Sequence, residues 1–150
     1  MDDFDRKILA ELQKDGRLSL TDLAQRIGLS LSPCHRRVRA LEEAGVIADY
    51  RATIVPAAVG LQFAAIVFVT LRATDRDSVR TFEESVPAVP EIIGAQRLFG
   101  APDYILHVIA KDLAAFQRLY DDSLSALPNV LRLTSTLVMK NVVQNRPLPL

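Results

Sequence analysis

Scarcity is the first feature of this sequence. A single cysteine, Cys34, rules out an intrachain disulfide and a cysteine-built zinc site. Net charge is equally uninformative: Lys+Arg and Asp+Glu both number 18, for a formal total of +0. Any anionic partner must therefore be met by a local cluster of cations rather than by the whole surface. No long hydrophobic run is present either. The longest apolar stretch, FAAIVFV at residues 63–69, falls far short of the ~20 residues a bilayer-spanning helix needs. Asp2, Asp3 and Asp5 make the first residues acidic, the reverse of a secretory signal's basic start. The expectation is a soluble cytoplasmic protein. Internal repeats and low-complexity segments are missing, as are a metal-ligand cluster, a nucleophile–base pair and a phosphate loop. No catalytic residue, metal or cofactor is assigned.

What is present is a core. Apolar residues make up 49% of 150 positions, enough for one domain or two small ones. The first part reads as three short helices over residues 1–47. In DDFDRKILAELQKDG, Phe4, Ile8, Leu9 and Leu12 share a helical face, and Gly16 stops the helix. In SLTDLAQRIG, Ser19 and Asp22 have capping-box spacing, with Leu20, Leu23, Ala24 and Ile27 on the apolar side and Gly28 at the end. In SPCHRRVRALEE, Ser32 is the expected cap and Pro33 the first helical residue; Cys34, Val38 and Leu41 face inward and Gly45 closes. Short helix, tight turn, short helix is a helix-turn-helix layout.

Beyond Gly45 the pattern changes. Residues 48–61, rich in β-branched side chains and broken by Pro56, read as a wing or linker strand. Residues 62–143 then run strand, helix, strand, strand, helix, strand, leaving 144–150 as a tail. The strands are QFAAIVFVTLRA, EIIGAQRLF, DYILHVIA and VLRLTSTLVMKNVV. One helix is marked by Val79, Phe82 and Val86, the other by Leu113, Phe116, Tyr120, Leu124 and Leu127 with Asp112 as cap. That order predicts an α+β protein: a winged helix-turn-helix domain followed by a ferredoxin-like βαββαβ domain. Two helices cover only one face of such a sheet. Because residues 63–69 are apolar without alternation, the other face is expected to meet a second copy of the chain.

The third helix carries the chemistry. Opposite its apolar side it presents Arg36, Arg39 and Glu43, with His35 alongside and Arg37 near the edge of the apolar stripe. Its cations precede its acids, the reverse of what the helix dipole favours. A recognition helix enters the major groove with its N-terminal residues, where arginine bonds guanine O6 and N7. Thr21, Ser30 and Ser32, at or near helix starts, are placed to hold phosphates. The competing reading is a solvated basic face paired with nearby acids.

GLSLSPCHRRVRALEEAGVI resembles the helix-turn-helix signature of the Lrp/AsnC (feast/famine) transcription regulators. The opening DxxDRKILxELQKDGR and the middle LAQRIGLS resemble that family too, and the likeness continues through the βαββαβ half. The resemblance implies a winged DNA-binding domain joined to an effector-binding, dimer-forming domain, with dimers that often assemble into octamers. It also implies binding of double-stranded DNA and of a small-molecule effector, most commonly an amino acid. Its Gly-x-x-Asp-Tyr effector pattern falls on Gly100, Asp103 and Tyr104. Asp103 suits an ammonium group, and a glycine turn offers amide donors to a carboxylate. Thr134 and Thr136 share one face of the last strand and are placed to add hydroxyls from a neighbouring subunit. Many relatives carry an acid and an aromatic where this chain has Ala101 and Pro102, and a plain hairpin turn is the alternative. His107, beside Ile105 and Ile109, reads as a packed strand residue, and Cys34 as core. Two other functions compete: an architectural DNA-binding protein without effector, and an enzyme resembling the sirohaem decarboxylases. The second leans on histidines, of which this chain has two, one of them in the DNA-reading helix.

Overall fold

Helix α1 (Asp3–Lys14) opens on a reciprocal cap built by the acids at its start. Asp5 N–H donates to Asp2 Oδ1 and Asp2 N–H to Asp5 Oδ2, both at 3.0 Å. The computed structural model describes residues 1–150, and these divide into two compact units, Met1–Thr53 with Val142–Leu150, and Ile54–Asn141. In the first unit α2 (Leu20–Ile27) starts at Ser19, whose Oγ accepts from Asp22 N–H at 3.1 Å. Both α2 and α3 (Leu31–Glu43) end in a left-handed glycine, Gly28 at φ 74° and Gly45 at φ 68°. There the chain reverses so that Leu29 N–H reaches Ala24 O and Val46 N–H reaches Leu41 O, each at 2.9 Å.

Helix α3 begins earlier than expected. Ser30, not Ser32, is its N-cap, and Pro33 is the third helical residue. The reason is that the first four amides of a helix have no partner one turn back, so a proline costs no hydrogen bond anywhere in that turn. The core of the unit is small: Ile8, Leu23 and Cys34 are fully buried, with Leu9, Ala24, Ile27, Val38 and Leu41 around them. Arg26 of α2 adds an ion pair to Glu11 of α1 at 3.1 Å.

The expected wing strand does not form within one chain. Residues 48–55 adopt no regular structure, and a 3-10 turn follows at Pro56–Val59. A strand exists only through its ladder partner, and the backbone of residues 48–54 bonds to no other segment.

The second unit has the expected order: β1 (Phe63–Leu71), α4 (Arg76–Ser85), β2 (Ile92–Arg97), β3 (Tyr104–Ala110), α5 (Leu113–Leu119) and β4 (Val130–Leu137). The sheet is antiparallel in the order β2-β3-β1-β4. Strand β4 stops six residues before the predicted Val143, because Leu137 already pairs with Ala65 near the start of β1 and little partner strand remains. After α5 the helix widens into a π turn at Tyr120–Leu124, closed by Ser125 N–H to Tyr120 O at 3.0 Å. Leu119 and Leu124 lie five residues apart, about 140° around an α-helix, and the wider turn brings both onto the sheet.

Although its sequence shows no alternation, β1 alternates in burial. Ala65, Val67, Val69 and Leu71 are buried in the core with Val79, Phe82, Phe116 and Leu124. Ala64, Ile66, Phe68 and Thr70 are half-buried on the other face.

Candidate functional sites

The three arginines of α3 have three different environments. Arg36 is exposed and has no acidic partner. Arg39 is also exposed, and its Nε lies 2.7 Å from Glu43 Oε1 one turn along the helix. Arg37, expected on the reading surface, is committed elsewhere. Its Nη1 lies 2.8 Å from both Asp2 Oδ2 and Asp5 Oδ1, and its guanidinium stands 5.6 Å from the centre of the Phe4 ring. The hydrogen bonds to Asp5 and Asp2 hold its pKa above the ordinary arginine value. Asp2 in turn is held below the usual carboxylate range, chiefly by the Asp5 amide. The apparent mismatch between α3's cations and its dipole is thus resolved for Arg37: it pins α3 to the start of α1.

His35 is exposed beside Leu18, Leu20 and Tyr50, towards the turn between α1 and α2. Thr21, Ser30 and Ser32 are all exposed, Thr21 in the first turn of α2 and the serines at the start of α3. Short exposed hydroxyls thus stand at the starts of both α2 and α3, and Arg36, without an acidic partner, lies one turn into α3.

In the second unit the β2–β3 turn is pinned to β1. Leu98 N–H donates to Asp103 O at 2.8 Å and Asp103 N–H to Val69 O at 2.9 Å, while Asp103 Oδ2 accepts from Leu71 N–H at 2.7 Å. Gly100 sits at φ 125°, a conformation that side chains disfavour, with open space where a Cβ would point. Gly100, Asp103 and Tyr104 come together as the lining of a cavity of about 550 Å³. Leu71, Val79, Phe99 and Arg97 complete much of its wall. The Tyr104 hydroxyl donates to Glu83 Oε1 at 2.7 Å; burial first, then this carboxylate, push the phenol up to about 12. Arg97 Nη1 stands 3.9 Å from the same oxygen.

Thr134 and Thr136 are not brought to this cavity. They pair with Phe68 and Ile66 across β4 and β1 and are exposed. Arg97 was missed by sequence reasoning, although a signal existed. As the last residue of β2 it pairs with Tyr104, so a hairpin closing at residues 98–103 places it beside the expected effector residues.

The open face of the sheet carries Ile66, Phe68, Ile105 and His107, with Ile66 opposite His107 and Phe68 opposite Ile105. His107 Nε2 lies 3.1 Å from Gln96 Oε1, as a packed, hydrogen-bonded strand histidine should.

Residues 1–48 match a model described as winged helix-turn-helix DNA-binding, and residues 64–148 one described as the Lrp/AsnC ligand binding domain. The chain is 38% identical over 148 residues to a proline dehydrogenase transcriptional activator of Rhodobacter capsulatus, covering 98% of this chain and 96% of that one. It is 38% identical over 150 residues to a Bkd operon transcriptional regulator of Pseudomonas aeruginosa, covering 100% and 98%. Among solved structures, a Neisseria meningitidis transcriptional regulator in complex with L-Met superposes with a TM-score of 0.94 at 36% identity, covering 99% of this chain and 96% of that one. With a helix-turn-helix in one unit, a ligand-binding fold in the other and relatives aligned along nearly the whole length, this chain belongs to the Lrp/AsnC family of DNA-binding transcriptional regulators.

Proposed function

We propose that this regulator reads duplex DNA with Arg36 and Arg39 of α3, and that an amino acid with an apolar side chain, bound at the β2–β3 turn, modulates the reading. The observation that carries the effector assignment is the makeup of the 550 Å³ cavity. It holds Arg97 and Asp103, opposite charges suited to the two ends of a zwitterion, against apolar walls from Leu71, Val79 and Phe99. One Asp103 oxygen already serves the Leu71 amide, which leaves the other to meet an ammonium group. The L-Met bound to the Neisseria regulator is consistent in chemical class. The working form is a homodimer formed through the open sheet face, since Ile66, Phe68 and Ile105 make an apolar patch that the two helices cannot cover.

Asp103→Asn separates charge from structure, because asparagine still offers an oxygen to Leu71 N–H. In a thermal-shift screen of the amino acids, the parent should gain stability with one or more apolar members while the variant gains none. An unchanged response in the variant would place the effector elsewhere. Phe68→Asp should convert the dimer to a monomer by sedimentation; a dimer that persists would exclude the open face.

A further inference from the structure

Residues 147–150, Pro-Leu-Pro-Leu, lie in the first unit rather than trailing free. The chain leaves that unit after Thr53, builds the sheet unit, and returns at Val142. Where it returns, one side chain engages one backbone residue twice. Leu148 N–H donates to Gln13 Oε1 at 2.6 Å, and Gln13 Nε2 donates to the Leu148 carbonyl at 3.4 Å. A carboxamide that meets both groups of a single residue substitutes for the pairing that a neighbouring strand would supply.

The sequence of the segment suits that contact. Pro147 and Pro149 have no N–H, so Leu148 carries the one amide donor of residues 147–149. Pro149 also biases Leu148 towards extended backbone, which keeps the segment ready for the Gln13 carboxamide before it docks. Leu148 and Leu150, two residues apart, line an apolar cavity of about 610 Å³ with Leu9 and Leu12 of α1 and with Val46 and Ile47 after α3. Arg36 and Arg39 are not part of that lining, so the segment leaves the DNA-reading side of α3 clear.

We infer that this groove is a docking site for an extended, proline-flanked leucine segment, and that its occupant is the chain's own residues 147–150, bound intramolecularly as a latch. With the latch closed, the chain joins the DNA-binding unit at two places, after Thr53 and before Val142; with it open, only the first remains. The inference is independent of the effector assignment and of the bases read.

A fluorescein-labelled peptide of residues 145–150 tests it by anisotropy. The intact chain, whose groove is filled, should bind the peptide at least ten-fold more weakly than a chain ending at Arg146. Adding Gln13→Leu to the shortened chain should remove most of the binding gained. If shortening impairs folding, full-length Leu148→Asp frees the groove without changing chain length, and it should take up the peptide as the shortened chain does. Equal binding to all these proteins, or no binding to a folded Leu148→Asp chain, overturns the proposal. Diluting the intact chain to nanomolar concentration distinguishes the source of the segment, because an intramolecular latch is independent of concentration. Peptide uptake that appears only on dilution would make a second copy's segment the occupant and overturn the latch within one chain.

Discussion

The two units solve the problem of a small core differently. In the first, three short helices bury eight residues, and only Ile8, Leu23 and Cys34 lose all contact with solvent. The second buries fifteen beneath a four-stranded sheet, including Phe82, Leu106, Leu124, Val67 and Val69 with no exposure at all. The first unit adds polar fasteners around its core: the double Asp2–Asp5 cap, the Arg37 pairs to those same acids, and Arg26 to Glu11. The second spends few charges on its interior and leaves an apolar sheet face open. A small helical unit that must expose its recognition helix cannot gain stability by covering it, and it adds caps and ion pairs around its core, one of them from α3 itself.

Core truncation gives the largest contrast. Leu23→Ala and Leu106→Ala each remove a fully buried leucine and should each cost about 2–5 kcal/mol. Against a typical total of roughly 5–15 kcal/mol, and with eight buried residues sharing the load, the first change should unfold the DNA-binding unit at much lower urea than the second needs to unfold the sheet unit. Urea titrations followed by DNA binding and by far-ultraviolet circular dichroism would resolve the two transitions. A single transition, moved equally by both substitutions, would show that the units fold as one.

A sharper contrast lies within α3. Arg36→Ala should cost about 1–3 kcal/mol of discrimination between specific and random duplex and leave the melting temperature unchanged. Arg39→Ala should act in the same direction but less, since Glu43 already engages that guanidinium. Arg37→Ala should do the opposite, lowering the melting temperature while affinities for specific and random duplex fall together or not at all. If Arg37→Ala relaxed specificity at full stability, the division of labour between adjacent arginines would be wrong.

That division shows where sequence reasoning stops. Helical periodicity located Cys34, Val38 and Leu41 as the buried side and Arg36 and Arg39 as the outward side, because one helix sets all five directions. It set Arg37 on the reading surface as well, because the partners that hold it, Asp2 and Asp5, lie more than thirty residues away at the start of α1. The strand order, the helix caps at Ser19 and Asp112, and the two closing glycines were likewise local signals and were legible. Features that need a distant partner were not. Residues 48–55 have strand composition but no strand, and β4 ends where β1 runs out. Arg97 enters the cavity only because the β2–β3 pairing sets it opposite Tyr104, whereas Thr134 and Thr136, expected to act from a neighbouring subunit, lie on the open face.

The smallest effect compares one tyrosine from each unit. Burial and then a carboxylate push both Tyr50, bonded to Glu42 at 3.0 Å, and Tyr104, bonded to Glu83 at 2.7 Å, up to about 12. A phenol whose folded pKa lies above its unfolded value near 10 stabilises the folded state fully below pH 10. That contribution is lost as pH rises from about 10 to about 12, since the unfolded chain ionises first. The two sites should nonetheless differ. Tyr104 is 3% exposed and cannot shed its proton into solvent without leaving the core, whereas Tyr50 is 48% exposed and its interaction is screened by water. Tyr104→Phe should therefore flatten the alkaline fall in stability of the sheet unit between pH 10 and 12, and Tyr50→Phe should barely alter that of the DNA-binding unit. Equal flattening by both would mean that the exposed phenol is held as firmly as the buried one, and that the first unit is more tightly closed around residue 50 than its small core implies.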